Sequence, residues 1–343
     1  MNGRVVTLGE IMLRLSPPGR ERLLQRPRFE ASFGGAEANV AVSLARLGIQ
    51  AAYVTVLPDN PLADACIEQL RAQGVDVSLI LRGEGRMGVY FIEAGVDQRP
   101  SRILYDRDFS AMSLAGPERL EWGRIFQAGS WFHITGVTPA LSQRAADLAL
   151  AAARAAKEAG LTVSCDYNFR SKLWNYGKAA PEVMGPLMEY VDMGIGGEYG
   201  CRLSFGIEAQ AVRPEGAGGY DRYQTLCERM LTRFPGLRCQ ALTVREGESA
   251  SQTIFSACLH NGDDFLVSSR YQISPIVDRV GSGDAFSAGL IYARMHGMPD
   301  QETLEFATAA GCLKHSIPGD WNLVSAPDVC ALMSAQGAGW IER

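Results

Sequence analysis

Apolar and polar positions along this chain follow two rhythms that take turns. Residues 5–13 (VVTLGEIML) are β-rich, whereas apolar positions over residues 38–47 recur at helical spacing and stop at Gly48. Residues 51–57 (AAYVTVL) are a continuous apolar run of buried-strand length, and helical spacing returns over 62–73, ending at Gly74. WFHITG at 131–136, a long alanine-rich helix and LTVSCDYN at 161–168 repeat the unit, and CQALTVRE at 239–246 reads as a further strand. Three predicted helices, near 283–297, 301–315 and 326–336, close the chain. Strands that alternate with helices predict an α/β fold with a mostly parallel sheet covered on both faces.

Two segments break the rhythm. Residues 14–33 and 86–108 are polar, β-prone and carry no helical pattern. They are too long for simple connections, so they read either as a small β-sheet lid, the preferred alternative, or as mobile loops. The whole chain, 1–343, is expected to form a single α/β domain bearing that lid.

Composition narrows the classes. With 343 residues and 47% apolar positions the chain can bury a large core. The net charge of −5 argues against broad binding to nucleic acid or anionic membrane, although a local cationic pocket stays compatible with it. The apolar helix around 145–159 carries Asp147, Arg154, Lys157 and Glu158, which a bilayer core would penalise. Glu10 and Arg14 interrupt what would be the apolar stretch of a secretion signal. The eight cysteines are scattered, with no CxxC pair, and read as reduced, mostly buried small residues. Together these features point to the cytoplasm.

The densest chemistry lies in DRVGSGDAFSAGLIYA, residues 278–293. A strand-like approach leads into Gly281, Ser282 and Gly283, then Asp284, then a helix. Small residues let backbone N–H groups approach an anion, and a helix start adds its positive dipole end. Phosphoryl transfer needs such a donor cluster together with a carboxylate able to take a hydroxyl proton. An Asp in a first helical turn is also ordinary capping chemistry, so the turn alone leaves both readings open. The GxxxxGK[ST] loop is absent, as are the HRD and DFG sets of protein kinases.

DRVGSGDAF resembles the C-terminal signature of the ribokinase-like (PfkB) carbohydrate kinases, and GGAEANVAVSLARLG at 34–48 resembles their N-terminal glycine signature. With the alternating pattern, the likeness spans essentially the whole chain. It implies a three-layer, doubly wound sheet with a small β-sheet lid, an ATP-dependent sugar kinase, and Mg2+ carried with the nucleotide. Whether a monovalent cation takes part is left open. Within the family the chain looks most like 2-keto-3-deoxygluconate kinases, on GEIMLRLSPP, RPSRILYDR, DYNFRSKLW and KHSIPGDWNLVS. A keto acid carries a carboxylate, for which arginine is the natural partner.

The resemblance implies Asp284 as catalytic base, beside the Gly281–Ser282–Gly283 turn. It places Gly34, Gly35, Asn39, Tyr90, Tyr105, Arg107, Arg170 and Asp320 at the sugar acid. Asn168, Arg245, Gly247, Gly281 and Gly283 are implied at the nucleotide, with His315 near the adenine. Each has a plainer alternative: Arg107 paired with Asp106 or Asp108, Tyr90 a buried lid aromatic, Asp320 a turn cap, Asn39 a helix-terminal residue. One departure stands out. Where the family carries an NxxE-type sequence that helps to organise magnesium and phosphates, this chain has Gly197, Glu198, Tyr199 and Gly200. A neutral-sugar kinase and a weakened sugar-acid-binding protein are the rival readings. Exposed lid edges would suit a homodimer.

Overall fold

The computed structural model describes residues 3–209 and 219–334. Fourteen strands among them are numbered in chain order: β1 (Arg4–Leu8), β2 (Met12–Ser16), β3 (Glu30–Gly34), β4 (Ala51–Leu57), β5 (Ile80–Arg82), β6 (Gly88–Glu93) and β7 (Arg102–Asp106). The second half supplies β8 (Gly129–Thr135), β9 (Thr162–Asp166), β10 (Met193–Gly196), β11 (Cys239–Ser249), β12 (Gln252–His260), β13 (Phe265–Val267) and β14 (Tyr271–Ile273).

The large sheet runs β13-β12-β11-β10-β9-β8-β1-β4-β5, with β14 also pairing β12. From β5 to β11 every pairing is parallel, and the β12 to β14 edge is antiparallel. Continuous apolar strands follow from burial on both faces. In β4, Ala52, Val54 and Val56 pack into one core cluster, while Ala51, Tyr53 and Leu57 pack into the other. Helices Gln143–Glu158, Ala180–Met188 and Asp221–Arg233 cover the first face, and helices Ala36–Leu47, Pro61–Ala72, Ser282–Met295 and Asp300–Lys314 cover the second. This is the three-layer arrangement that the alternation predicts.

A second sheet of four strands, β3-β2-β6-β7, stands apart from the large one. Its strands come from the two segments that broke the rhythm, with β2 beginning slightly earlier, at Met12. Residues 5–13 are therefore not one strand. The chain leaves the large sheet after Leu8 and enters the small sheet at Met12. Gly9 sits at this exit because any Cβ there would overlap the carboxylate of Glu37. Glu37 is itself pinned: its Oε1 accepts from the N–H and Oγ1 of Thr135 at 3.0 and 2.8 Å and from Thr138 Oγ1 at 2.8 Å. Burial pushes this carboxyl up to about 7, and the contacts lock the start of helix Ala36–Leu47 against the end of β8.

Helix Glu198–Phe205, together with Ala180–Met188, Asp221–Arg233 and the antiparallel edge, lies outside the elements read from the sequence. The last helix is described as Ala326–Ser334, and residues 335–336 of the predicted helix lie outside the described residues. Among the described residues no helix is long and apolar enough to cross a membrane. Six of the eight cysteines are buried and all eight are free.

Candidate active site

The carboxyl ends of the parallel strands open into a cleft of about 910 Å3 that the small sheet overhangs. This is where open α/β sheets bind ligands. One wall is the turn into helix Ser282–Met295. Gly281 there is left-handed, at φ 82°, and a Cβ on it would overlap the backbone oxygen of Asp320, so both conformation and space demand glycine. The N–H groups of a first helical turn have no intrahelical acceptors. Ser282 N–H turns back to Arg279 O at 3.4 Å, and Ser282 Oγ accepts from Arg245 Nη2 at 3.1 Å. Gly281, Ser282, Gly283 and Asp284 all line the cleft.

Asp284 is buried, and burial is the main reason its carboxyl is pushed up to about 7. Two groups work against that shift, Asn39 through a hydrogen bond and Arg170 through its positive charge. Asn39 Nδ2 donates to Asp284 Oδ2 at 2.7 Å, and Asn39 Oδ1 accepts the N–H of Gly35 at 3.3 Å. Asn39 is thus more than a helix-terminal residue, and its amide is engaged by Asp284. Across the cleft, Asp166 ends β9, and burial raises its carboxyl to about 6. Asn168 follows with φ 34°, a left-handed position that Asn tolerates better than most residues, and its N–H donates to Asp166 Oδ1 at 3.1 Å.

The small sheet supplies Tyr90, Tyr105 and Arg107 to the roof. Arg107 does not pair with Asp106 or Asp108. Its Nε donates to Glu10 Oε2 at 2.7 Å and its Nη2 reaches the same oxygen, in a pair that is nearly dry. Asp106 is taken instead by Arg86. Arg170 also lines the cleft, but it is exposed and its one hydrogen bond runs to Phe169 O at 3.3 Å. Tyr90 and Asp320 are both buried and bonded to each other, O–H to Oδ1 at 2.5 Å.

Three expected residues sit elsewhere. Gly34 is not in the cleft lining, although its neighbours Gly35 and Asp320 are; a Cβ on it would overlap Asp320 Oδ2, so its place leaves room for that carboxylate. Gly247 lines a smaller neighbouring cavity with Asp97 and Arg279. His315 is buried under the turn: its Nδ1 is 2.8 Å from Gly311 O, its ring packs on Phe255, and its carbonyl accepts the N–H groups of Val277 and Asp278. Burial depresses its imidazole to about 4, so it is a neutral structural prop.

Three charged residues in or beside the site, Arg14, Glu10 and Asp166, were not named as site residues from the sequence. No local signal marks Arg14: alternation in MLRLS sets it on the face opposite Leu13 and Leu15, and only the fold buries it there beside Met12.

A family model described as pfkB family carbohydrate kinase matches residues 2–322. The chain belongs to this family of sugar kinases. This pfkB kinase is 32% identical over 341 residues, 99% of each chain, to a 2-dehydro-3-deoxygalactonokinase of Haloferax volcanii. A crystal structure of a 2-dehydro-3-deoxygluconokinase from Thermotoga maritima is 41% identical, with a TM-score of 0.91 over 97% of this chain and 99% of that one. A fructokinase of Klebsiella pneumoniae is 30% identical over 317 residues, covering 88% of this kinase and 87% of the relative.

Proposed function

We propose that this kinase transfers the γ-phosphoryl group of ATP to the terminal hydroxyl of 2-keto-3-deoxygluconate (2-dehydro-3-deoxygluconate). The observation that carries the reading is a buried carboxylate, Asp284, beside a glycine-lined helix start in a cleft with an uncommitted arginine. Asp284 takes the hydroxyl proton as the oxygen attacks phosphorus, and the N–H groups of Gly281, Gly283 and Asp284 stabilise the charge on the phosphoryl oxygens. Arg170 meets the sugar carboxylate, Arg107 adds the N–H donors that Glu10 leaves free, and Asp320 accepts a sugar hydroxyl. Arg245 and Asn168 lie on the nucleotide side. The small sheet acts as a lid that keeps water from the phosphoryl group.

No group of three or more His, Cys, Asp or Glu placed to hold a metal occurs among the described residues. Glu198 of the cleft is the acid that would hold magnesium arriving on the nucleotide phosphates with most of its water. When bound, magnesium neutralises phosphate charge. A coupled assay of ADP release, run with sugar acids and with neutral sugars, tests the whole reading. Preference for a neutral sugar such as fructose, named for one relative, would replace it.

Two variants probe the parts. Asn39→Ala removes a donor that favours ionised Asp284, so the acid limb of kcat/KM should move to higher pH. A pH profile superimposable on wild type would detach Asn39 from the base. Gly197→Asn with Gly200→Glu should lower the apparent KM for Mg-ATP, because both glycines line the cleft and a Cβ at either meets nothing closer than 3.4 Å. An unchanged or raised KM for Mg-ATP would mean that this segment is not the counterpart of the family's NxxE sequence.

A further inference from the structure

Arg14 lies on β2, at 6% exposure, and faces two carboxylates from the far end of the chain. Its Nη1 donates to Asp320 Oδ1 at 2.7 Å and its Nη2 to Asp278 Oδ2 at 2.5 Å. Asp278 is held in turn by the N–H of Val280 on Oδ1 at 3.0 Å and by the N–H of Gly319 on Oδ2 at 3.1 Å. Lys314, the other cation near the pair, donates to Ile317 O at 2.9 Å. Two cations therefore stand against two carboxylates. Burial alone would disfavour charge on Arg14, but Asp320 and Asp278 outweigh it and hold its pKa up.

The consequence falls on Asp320. Its Oδ1 receives both Arg14 and the phenol of Tyr90, which burial and the neighbouring carboxylate keep protonated. Its Oδ2 receives no hydrogen bond from the described residues and sits in the space that Gly34 leaves open. A carboxylate with one oxygen saturated and the other free is an oriented acceptor, suited to a ligand hydroxyl.

We propose that Arg14 is a positioning residue for sugar binding: it fixes Asp320 so that Oδ2 faces a substrate hydroxyl, and through Asp278 it ties that acceptor to the Gly281 turn. This rests on the reading of Asp320 as a sugar contact. A planar guanidinium spans both carboxylates, which a single ammonium cannot do with the same geometry.

Wild type is assayed first with 2-keto-3-deoxygluconate and with fructose, so a wrong substrate class shows there alone. Arg14→Met, Arg14→Lys, Asp320→Asn and the Arg14→Met/Asp320→Asn double variant are then assayed with the preferred sugar. Arg14→Met should raise the sugar KM by about tenfold to a hundredfold, as loss of a charge-assisted bond would. The KM for ATP should stay within about twofold, Arg14→Lys should fall between, and Arg14→Met should add almost nothing to Asp320→Asn. The proposal is overturned if the sugar KM moves less than about twofold, if the ATP KM rises equally, or if the two effects multiply. Should Arg14→Met fail to fold, Arg14→Lys, which keeps the cation, carries the same comparison of the two KM values.

Discussion

Asp284→Asn is expected to lower kcat by about 10²–10⁴-fold, the usual contribution of a general base. Fold and sugar binding should survive, because the amide has the shape of the carboxyl and can still accept from Asn39 through its oxygen. The wild-type pH profile should carry the same signature. A base works only when deprotonated, and burial places this carboxyl at about 7. Activity should therefore fall as pH drops through neutrality, toward about tenfold per unit. The variant should lack that limb. More than about a tenth of wild-type kcat in Asp284→Asn would remove Asp284 from the role of base.

The second large effect separates an anionic from a neutral substrate. Arg170→Ala should lose about 1.5–3 kcal/mol of transition-state binding with 2-keto-3-deoxygluconate, roughly tenfold to 150-fold in kcat/KM. With fructose the loss should be far smaller, since no carboxylate is there to miss the guanidinium. Arg107→Ala should behave differently. It strands Glu10, whose buried carboxylate spends one oxygen on Arg107 and whose other oxygen has no partner. Breaking such a pair costs about 3–5 kcal/mol, so thermal stability should drop together with activity on either sugar. Equal losses with both sugars in Arg170→Ala, or a wild type that prefers fructose, would hand the site to a neutral sugar.

The parallel core of the large sheet was legible because burial on both faces writes long apolar runs, such as residues 51–57, which became β4 without shift. The turn at Gly281 was legible because its left-handed conformation and its contact with Asp320 O leave glycine no substitute. The ion pairs were not legible. Arg14 and Asp320 are 306 positions apart, and Glu10 and Arg107 are 97 apart, distances over which no periodicity ties one side chain to another. The same reason accounts for Arg107. Read locally, its partners are the adjacent aspartates, but along a strand neighbours point to opposite faces, and Arg107 follows the end of β7 into the interior.

The cleft is built from both ends of the polypeptide: Asn39 reaches Asp284, and Arg14 reaches Asp320, across nearly the whole chain. A ribosome delivers these halves in order, with the amino-terminal strands emerging first. During synthesis β1 waits in the centre of the sheet for β8, and β2 carries its arginine with no carboxylates to meet. Catalytic competence is therefore among the last properties a nascent copy acquires. A chain that ends between residues 107 and 319 would carry the small sheet with its Arg14 and yet lack Asp320, which that arginine faces.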